Sequence, residues 1–329
     1  GGLCAGLPPR RSVWDKSRMS RELSLHLSLI TLLFALHFIL PEYHHGNLAR
    51  VMVLAVYAMA YNVMFGYTGL LSLGHAMFFC AGMYGMGLSM RLYEISAGPA
   101  FVIGLGVSAV FALLIGLLAL RTIGVGFMIV TLMFSQAIFL TILYFNPITR
   151  GDEGFVIPQA ARQIADIDLS DSGNRYFAAL ILFSICLLAV LKLVRAPTGR
   201  VLIAIRENEE RAKMLGYDIW AHKLGAVVMS GTMAGAAGAA YGLLFGTVGA
   251  SFAEVPFSIL PLLYVLLGGP GTVIGPFVGT LFMFYLRDLS SALTDAHMLV
   301  AGVVLILLTL YARRGIMGLI REKWLKGLP

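Results

Sequence analysis

Runs of about twenty apolar residues recur along this chain, and they constrain its fold more than any other feature. A helix needs about 20 such residues to cross the hydrocarbon of a bilayer. Ten segments meet or approach that length: 23–40, 49–65, 70–90, 99–120, 123–145, 176–194, 223–245, 257–269, 272–290 and 296–312. The eighth is short and can extend back to Glu254. In lipid, backbone polar groups must be satisfied within the protein, so such runs predict helices. The expected fold is therefore an all-α integral membrane protein of about ten transmembrane helices. Composition agrees: 12% of residues are charged, against roughly 25% in a soluble domain.

The charges that remain are placed unevenly. Of 24 Lys and Arg, five lie in 1–22, seven in 192–223 and five in 313–326. They flank apolar runs and form no stripe, which argues against nucleic-acid binding and for cytoplasmic loops. An even number of spans puts both termini on one side, the cytoplasmic one. The loop 146–175 then falls outside, with five acidic and three basic residues. Residues 1–22 are expected to be a cytoplasmic N-terminal segment, with 1–18 a start-site extension ahead of Met19. Residues 23–312 form the transmembrane domain, and 313–329 a basic cytoplasmic tail. Cys4, Cys80 and Cys186 show neither a disulfide framework nor zinc spacing.

One pattern occurs twice. Tyr61-x-x-x-Phe65-Gly66-x-x-Gly69 matches Tyr241-x-x-x-Phe245-Gly246-x-x-Gly249 at a spacing of 180 residues. Gly98-Pro99 and Gly275-Pro276 echo it, as do Thr131-Leu132 and Thr309-Leu310. Copies five spans apart have opposite orientation, so repeat one (about 49–145) and repeat two (about 223–312) are expected to form an inverted-topology repeat, a common transporter construction.

The chemistry is expected at the breaks in these repeats. Gly66, Tyr67, Gly69, Ser72, Gly74 and His75 make a glycine-rich interruption, tolerated at membrane depth only beside protein or a cavity. They read as a gating or pathway element, and His75 either lines that path or packs as a neutral imidazole. Gly246, Gly249 and Glu254 hold the corresponding place in the second copy, with Glu254 at a pathway mouth or in a solvated loop. In the loop 195–223, Thr198 to Gly216 reads as one amphipathic helix. Glu207/Arg211 and Glu209/Lys213 are i,i+4 pairs. Val201, Ile205, Ala212 and Leu215 form its apolar stripe. Gly216 suits a C′ position, and Asp218 an N-cap. Its three acids favour docking to a cytoplasmic protein over an anionic lipid surface. The chain has no phosphate-binding loop and no catalytic constellation, so any ATP hydrolysis belongs to another polypeptide.

Three of these motifs resemble a known family. Gly66-Tyr-Thr-Gly-Leu-Leu-Ser-Leu-Gly-His-Ala76, Arg200 to Tyr217 and Leu267-Gly-Gly-Pro-Gly-Thr-Val-Ile-Gly-Pro276 look like segments of LivM-type permeases. Those permeases belong to ABC importers of branched-chain and other hydrophobic amino acids. The resemblance runs over roughly 45–320. Leu70 stands where the family has Gln, and Thr149-Arg150-Gly151 where it usually has Thr-Gly-Gly. The resemblance implies a multi-pass protein of the bacterial inner membrane that is not itself an enzyme. Its partners would be a second related permease, two ATPase subunits and a periplasmic or lipid-anchored binding protein. ATP–Mg would be bound by those ATPases, with no cofactor in this chain. The coupling contact would be Arg206, Glu207, Glu209, Glu210, Arg211 and Gly216. Relatives also carry urea, short amides and small carboxylic acids. Outside the family, the alternatives are a self-sufficient secondary transporter or channel, or a membrane-embedded enzyme.

Overall fold

The computed structural model describes residues 13–164 and 167–293, together with 302–303, 306 and 315–318. Its helices are α1 (Val13–Ile39), α2 (Glu42–Asn62), α3 (Ala76–Tyr93), α4 (Ala97–Ala119), α5 (Val125–Tyr144), α6 (Asn146–Thr149), α7 (Ser172–Arg195), α8 (Pro197–Glu207), α9 (Glu209–Met214), α10 (Ile219–Phe245), α11 (Val255–Gly268) and α12 (Gly275–Leu293). Among the described residues, five helical stretches are long and apolar enough to cross a membrane: Glu42–Tyr67, Ala97–Ala119, Val125–Tyr144, Ser172–Arg195 and Ile219–Phe245. Leu23–Ile39 and Val255–Gly268 are shorter and apolar. The expected span 296–312 lies outside the described residues except for 302, 303 and 306, and the segment 1–12 and Thr309-Leu310 lie outside them altogether.

The helices sort by what they bury. Between Leu48 and Met64 nearly every residue of α2 and the turn after it is inaccessible, as expected of a helix that is apolar all round. α2 packs against α7, α10, α11 and α12, and a second group brings α3, α4 and α10 together. On α4 the inward face is Ala100, Gly104, Ser108, Ala112 and Gly116, at four-residue spacing, while Val102, Val110, Leu113 and Leu114 point outward. Small residues inside and large apolar ones outside invert the pattern of a water-soluble helix. In lipid the driving force is close backbone approach rather than burial of bulk. Gly82 on α3 shows how close that approach is, because a Cβ there would lie 2.1 Å from the Gly235 carbonyl oxygen on α10.

Two expectations about the elements need correction. The third span was expected from residue 70, but α3 begins at Ala76 and residues 68–75 are not helical. Gly69 sits at φ +77°, and the carbonyls ahead of it are taken by turn contacts: Thr68 Oγ1 donates to Val63 O at 3.0 Å and Leu70 N to Met64 O at 3.0 Å. Thr198 to Gly216 was expected to be one helix, but it is two, broken at Asn208 (φ −161°, ψ 103°). The Asn208 side chain accepts from Arg211 N at 2.8 Å, so it caps α9 rather than continuing α8. The break separates Glu207 from Arg211, and Glu209/Lys213 does not pair either. Glu209 instead pairs with Lys223 at 2.7 Å. Val201, Ile205 and Ala212 do cluster, with Ile219 against them, but Leu215 is 69% exposed.

The ends of α9 and α10 follow the expected chemistry. Gly216 takes φ +85°, with Gly216 N bonded to Lys213 O and Tyr217 N to Ala212 O, a Schellman closure. Asp218 caps α10 through Ala221 N at 3.0 Å. In the loop before α7, Arg150 holds the left-handed conformation (φ +61°) at the place where the family pattern usually has glycine.

The crossing of α3 with α10 gives a direct test. Gly82→Ala should lower stability in detergent by about 1–3 kcal/mol, since the new methyl meets backbone. Gly106→Ala, where nothing lies within 4 Å, should change it by less than about 0.5 kcal/mol. Thermal unfolding of the two purified variants would check both.

Candidate functional site: two helix breaks joined by an aromatic column

The two copies of the Tyr-x-x-x-Phe-Gly pattern end their helices in comparable ways. Tyr61 and Phe65 close α2, which runs into a π-helical turn, Val63–Tyr67, before the irregular stretch to His75. Tyr241 and Phe245 close α10. Gly246 (φ +75°), the short strand Thr247–Val248 and the 3₁₀ turn Ala250–Ala253 follow, and then α11. Gly98-Pro99 and Gly275-Pro276 each lie in the first turn of the helix two elements later, α4 and α12. Isolated π turns of this kind are frequent at functional positions.

The first break is a three-way junction. Asn62, fully buried, donates through Nδ2 to Thr272 O at 2.8 Å and accepts at Oδ1 from Gly271 N at 3.0 Å. This fastens the glycine-rich turn between α11 and α12 to the end of α2. From α8, the Arg206 guanidinium donates to the Gly66 carbonyl. The same side chain runs past Gly69 and Gly271, where any Cβ would crowd it. Residues 62–69, 206 and 271–272 are far apart in sequence, yet they meet at one point. Gly66 and Tyr67 are buried there and Gly69 is exposed.

Deeper in the break, Tyr61 OH donates to Ser72 O at 2.9 Å, and Gly74 N donates to Ser72 Oγ at 3.2 Å. Gly74 lies against the Thr131 carbonyl of α5. His75 is inaccessible to solvent, its Nε2 3.5 Å from Ser230 Oγ, and its ring packs among Tyr57, Tyr61 and Phe78.

The second break is held from the other loop. Phe155–Val156 pairs antiparallel with Thr247–Val248, and Ile157 N donates to Gly246 O at 2.8 Å. Arg162 Nη1 donates to Leu244 O at 3.5 Å. Gly249 is half-buried. Glu254 sits at the N-terminus of α11, half-exposed, where its backbone carbonyl accepts from Phe257 N and Ser258 N. The loop that covers this break precedes α7, and the segment that covers the first break follows it. The two breaks therefore lie at opposite ends of α7, a helix about 36 Å long.

Between them runs a continuous chain of rings. Phe65, Tyr61, His75, Tyr57, Phe257, Phe252, Tyr241 and Phe245 are each 4.8–5.8 Å from the next, centroid to centroid. Those are ordinary stacking separations. The repeated Tyr and Phe of the two copies form the ends of this column, and Phe79 braces its middle against Tyr57 and Phe257.

Glu207, Glu209, Glu210, Arg211 and Gly216 are all exposed, as is Arg206 apart from its contact with Gly66. Arg206, Glu207, Glu209 and Glu210 border a cleft of about 700 Å³ whose opposite wall includes Thr68, Gly69 and Leu70 of the first break. The structure thus brings the first break and the segment 206–216 together, and sets Gly246, Gly249 and Glu254 apart at the far end.

Comparison with known proteins accords with this arrangement. Residues 45–309 match the family model described as the permease component of branched-chain amino acid transport systems. The chain belongs to that family. It is 26% identical to the high-affinity branched-chain amino acid permease protein LivM of Salmonella typhimurium, over 94% of this chain and 78% of the relative. The Escherichia coli LivM gives the same figures. A probable LivM of Methanocaldococcus jannaschii is 25% identical over 69% of this chain and 75% of the relative. No solved structure matches significantly. As a family member with several apolar helices, the chain is a multi-pass membrane permease.

Several of the residues that build this site escaped sequence reasoning. Asn62, a lone amide in an apolar run, was a visible signal. Tyr57 and Tyr61 share a helix face, but Phe252 and Phe257 join them only through the fold. Arg162 carries no local motif. Replacing Asn62 with Leu should leave the Gly271 N–H and the Thr272 carbonyl without their partner. The expected loss is about 1–3 kcal/mol, measurable as a lower melting temperature of the purified chain.

Proposed function

We propose that this chain is the membrane-spanning permease subunit of an ATP-driven importer of branched-chain or related apolar amino acids. In this reading ten helices span the membrane with both termini cytoplasmic, and the two breaks belong to repeats of opposite orientation. A second related permease completes the pore, and a binding protein delivers substrate. Two ATPases dock on residues 195–223 and hold the ATP–Mg, and this chain carries no cofactor or catalytic site. One observation carries the reading: Arg206, within the proposed docking segment, is bonded to Gly66 at the helix break. A displacement of α8 by an ATPase has a direct mechanical route to the break and from there to the aromatic column. The column must part for a substrate to pass. Its apolar faces suit branched or aromatic side chains better than urea or short amides.

Mild detergent extraction of the tagged chain from native membranes should recover a second permease and ATPase subunits. Recovery of the chain alone would point to a self-sufficient transporter or channel. Glu210→Lys should weaken ATPase recovery by about tenfold, as expected for reversing a charge at an interface, while membrane insertion is unchanged. Glu210 is the informative site because Glu209 is engaged by Lys223.

Gly66→Ala should leave ATPase recovery intact and reduce leucine uptake by about tenfold or more. Its Cβ would fall 1.9 Å from Asn62 Oδ1 and 2.6 Å from Gly271 N, forcing the junction apart. Wild-type uptake in that variant would mean that the break is only a connector.

A further inference from the structure

Three guanidinium groups gather at the second break, and among the described residues none of them forms an ion pair. Arg50 of α2 lies over the Phe245 ring with its guanidinium carbon 5.0 Å from the centroid, and Arg175 of α7 lies 5.5 Å from the same ring. Arg162 reaches the carbonyl just before that residue, Leu244 O, and abuts Gly246. Arg162 and Arg50 both lie within electrostatic reach of Arg175, and so do Asp171 and Asp168. Arg162 is only 7% exposed, and its Nε has no hydrogen-bond partner. The Nε of Arg175 is likewise unpartnered, while its Nη2 donates to Ser170 O at 2.7 Å.

The neighbouring carboxylates offset the charge of Arg175 only from a distance, and their hydrogen bonds go to backbone. Asp168 accepts from Ser170 N, and Asp171 accepts from Gly173 N and Asn174 N as the cap of α7. No carboxylate among the described residues forms an ion pair with any of the three arginines.

A buried, unpaired charge is expensive to maintain. Two more of the same sign beside it add repulsion. Such a cluster is stable when an anion completes it, and a guanidinium fork matches the two oxygens of a carboxylate. Arg50 is exposed and leaves the cluster open to solvent. The aromatic column begins at the same place, with Phe245 and Tyr241.

We propose that Arg50, Arg162 and Arg175 form a carboxylate-binding site at the mouth of the second break. It receives the α-carboxylate of an incoming amino acid while Phe245 and Tyr241 take up its apolar side chain. The amino-acid identity of the ligand rests on the proposed import function; the anion site itself rests on the arginines. The depth of Arg162 favours a small molecule over the acidic surface of a docked protein.

The test uses the purified full chain, without binding protein, and three probes measured by saturation-transfer NMR: leucine, 4-methylpentanoate and leucinamide. Leucine and 4-methylpentanoate should bind, and leucinamide, which lacks the carboxylate, should bind about tenfold more weakly or not at all. Arg162→Gln should weaken leucine binding by about tenfold or more and erase the preference over leucinamide. Because Arg162 also caps α10, Arg50→Gln serves as a second variant at an exposed position. It should shift binding in the same direction, by about threefold.

Equal binding of leucine and leucinamide to the wild type would overturn the proposal with no variant needed. So would undiminished leucine binding in both variants. Leucine uptake by the assembled transporter is the separate test of the import function. If uptake fails while 4-methylpentanoate still binds at the arginines, the anion site stands and the amino-acid reading falls.

Discussion

A helix interrupted inside an apolar interior leaves carbonyl and amide groups that water cannot reach, and the rest of this structure follows from how they are satisfied. At the first break, Tyr61, Thr68 and Ser72 supply local partners, Asn62 binds the distant turn at 271–272, and Arg206 arrives from another segment. At the second, the loop before α7 contributes a two-residue strand and Arg162. In each case one of the polar groups that close the break comes from a segment outside the helical core. The satisfaction of backbone bonds therefore fixes each surface segment to one end of the column, and the segments cannot move without disturbing those bonds.

The remaining interior divides between two kinds of packing. Where α3, α4 and α10 cross, Gly82, Gly104, Gly235 and Ser108 bring backbones nearly into contact, and little volume is left for anything else. Between the breaks the reverse holds, and large rings fill the space. A region of tight backbone contact resists change, because any shift meets hard atoms. A stack of rings in ordinary van der Waals contact has more freedom, since rings can turn past one another. The rigid crossings and the column of rings are adjacent.

The three segments that resemble the permease family are spread over some two hundred residues, and their convergence on Asn62, Gly66 and Arg206 gives the resemblance a physical meaning. Each contributes one part of a single junction: the break, the turn pinned to it and the arginine that reaches in from the proposed docking face. Their glycines are needed there. Gly66 and Gly271 admit the Asn62 amide and the Arg206 guanidinium where a side chain would exclude them.

Much of this protein was legible in the sequence because it depends on local or statistical properties. Long apolar runs, the Asp218 cap, the Gly216 closure and the glycine-rich break at 66–75 are each decided by residues close together in the chain. The repeated Tyr-x-x-x-Phe-Gly pattern pointed to both breaks. The boundaries failed where a single polar residue chose between continuing and stopping, as Asn208 did by capping α9, and where turn contacts delayed α3 to Ala76. What only the tertiary structure decided are the long-range pairings: Arg206 with Gly66, Arg162 with Leu244, Asn62 with the turn at 271–272, and the succession of rings from Phe65 to Phe245. None of these has a sequence signature, since a carbonyl at a helix end accepts a bond from any donor that the fold brings within reach.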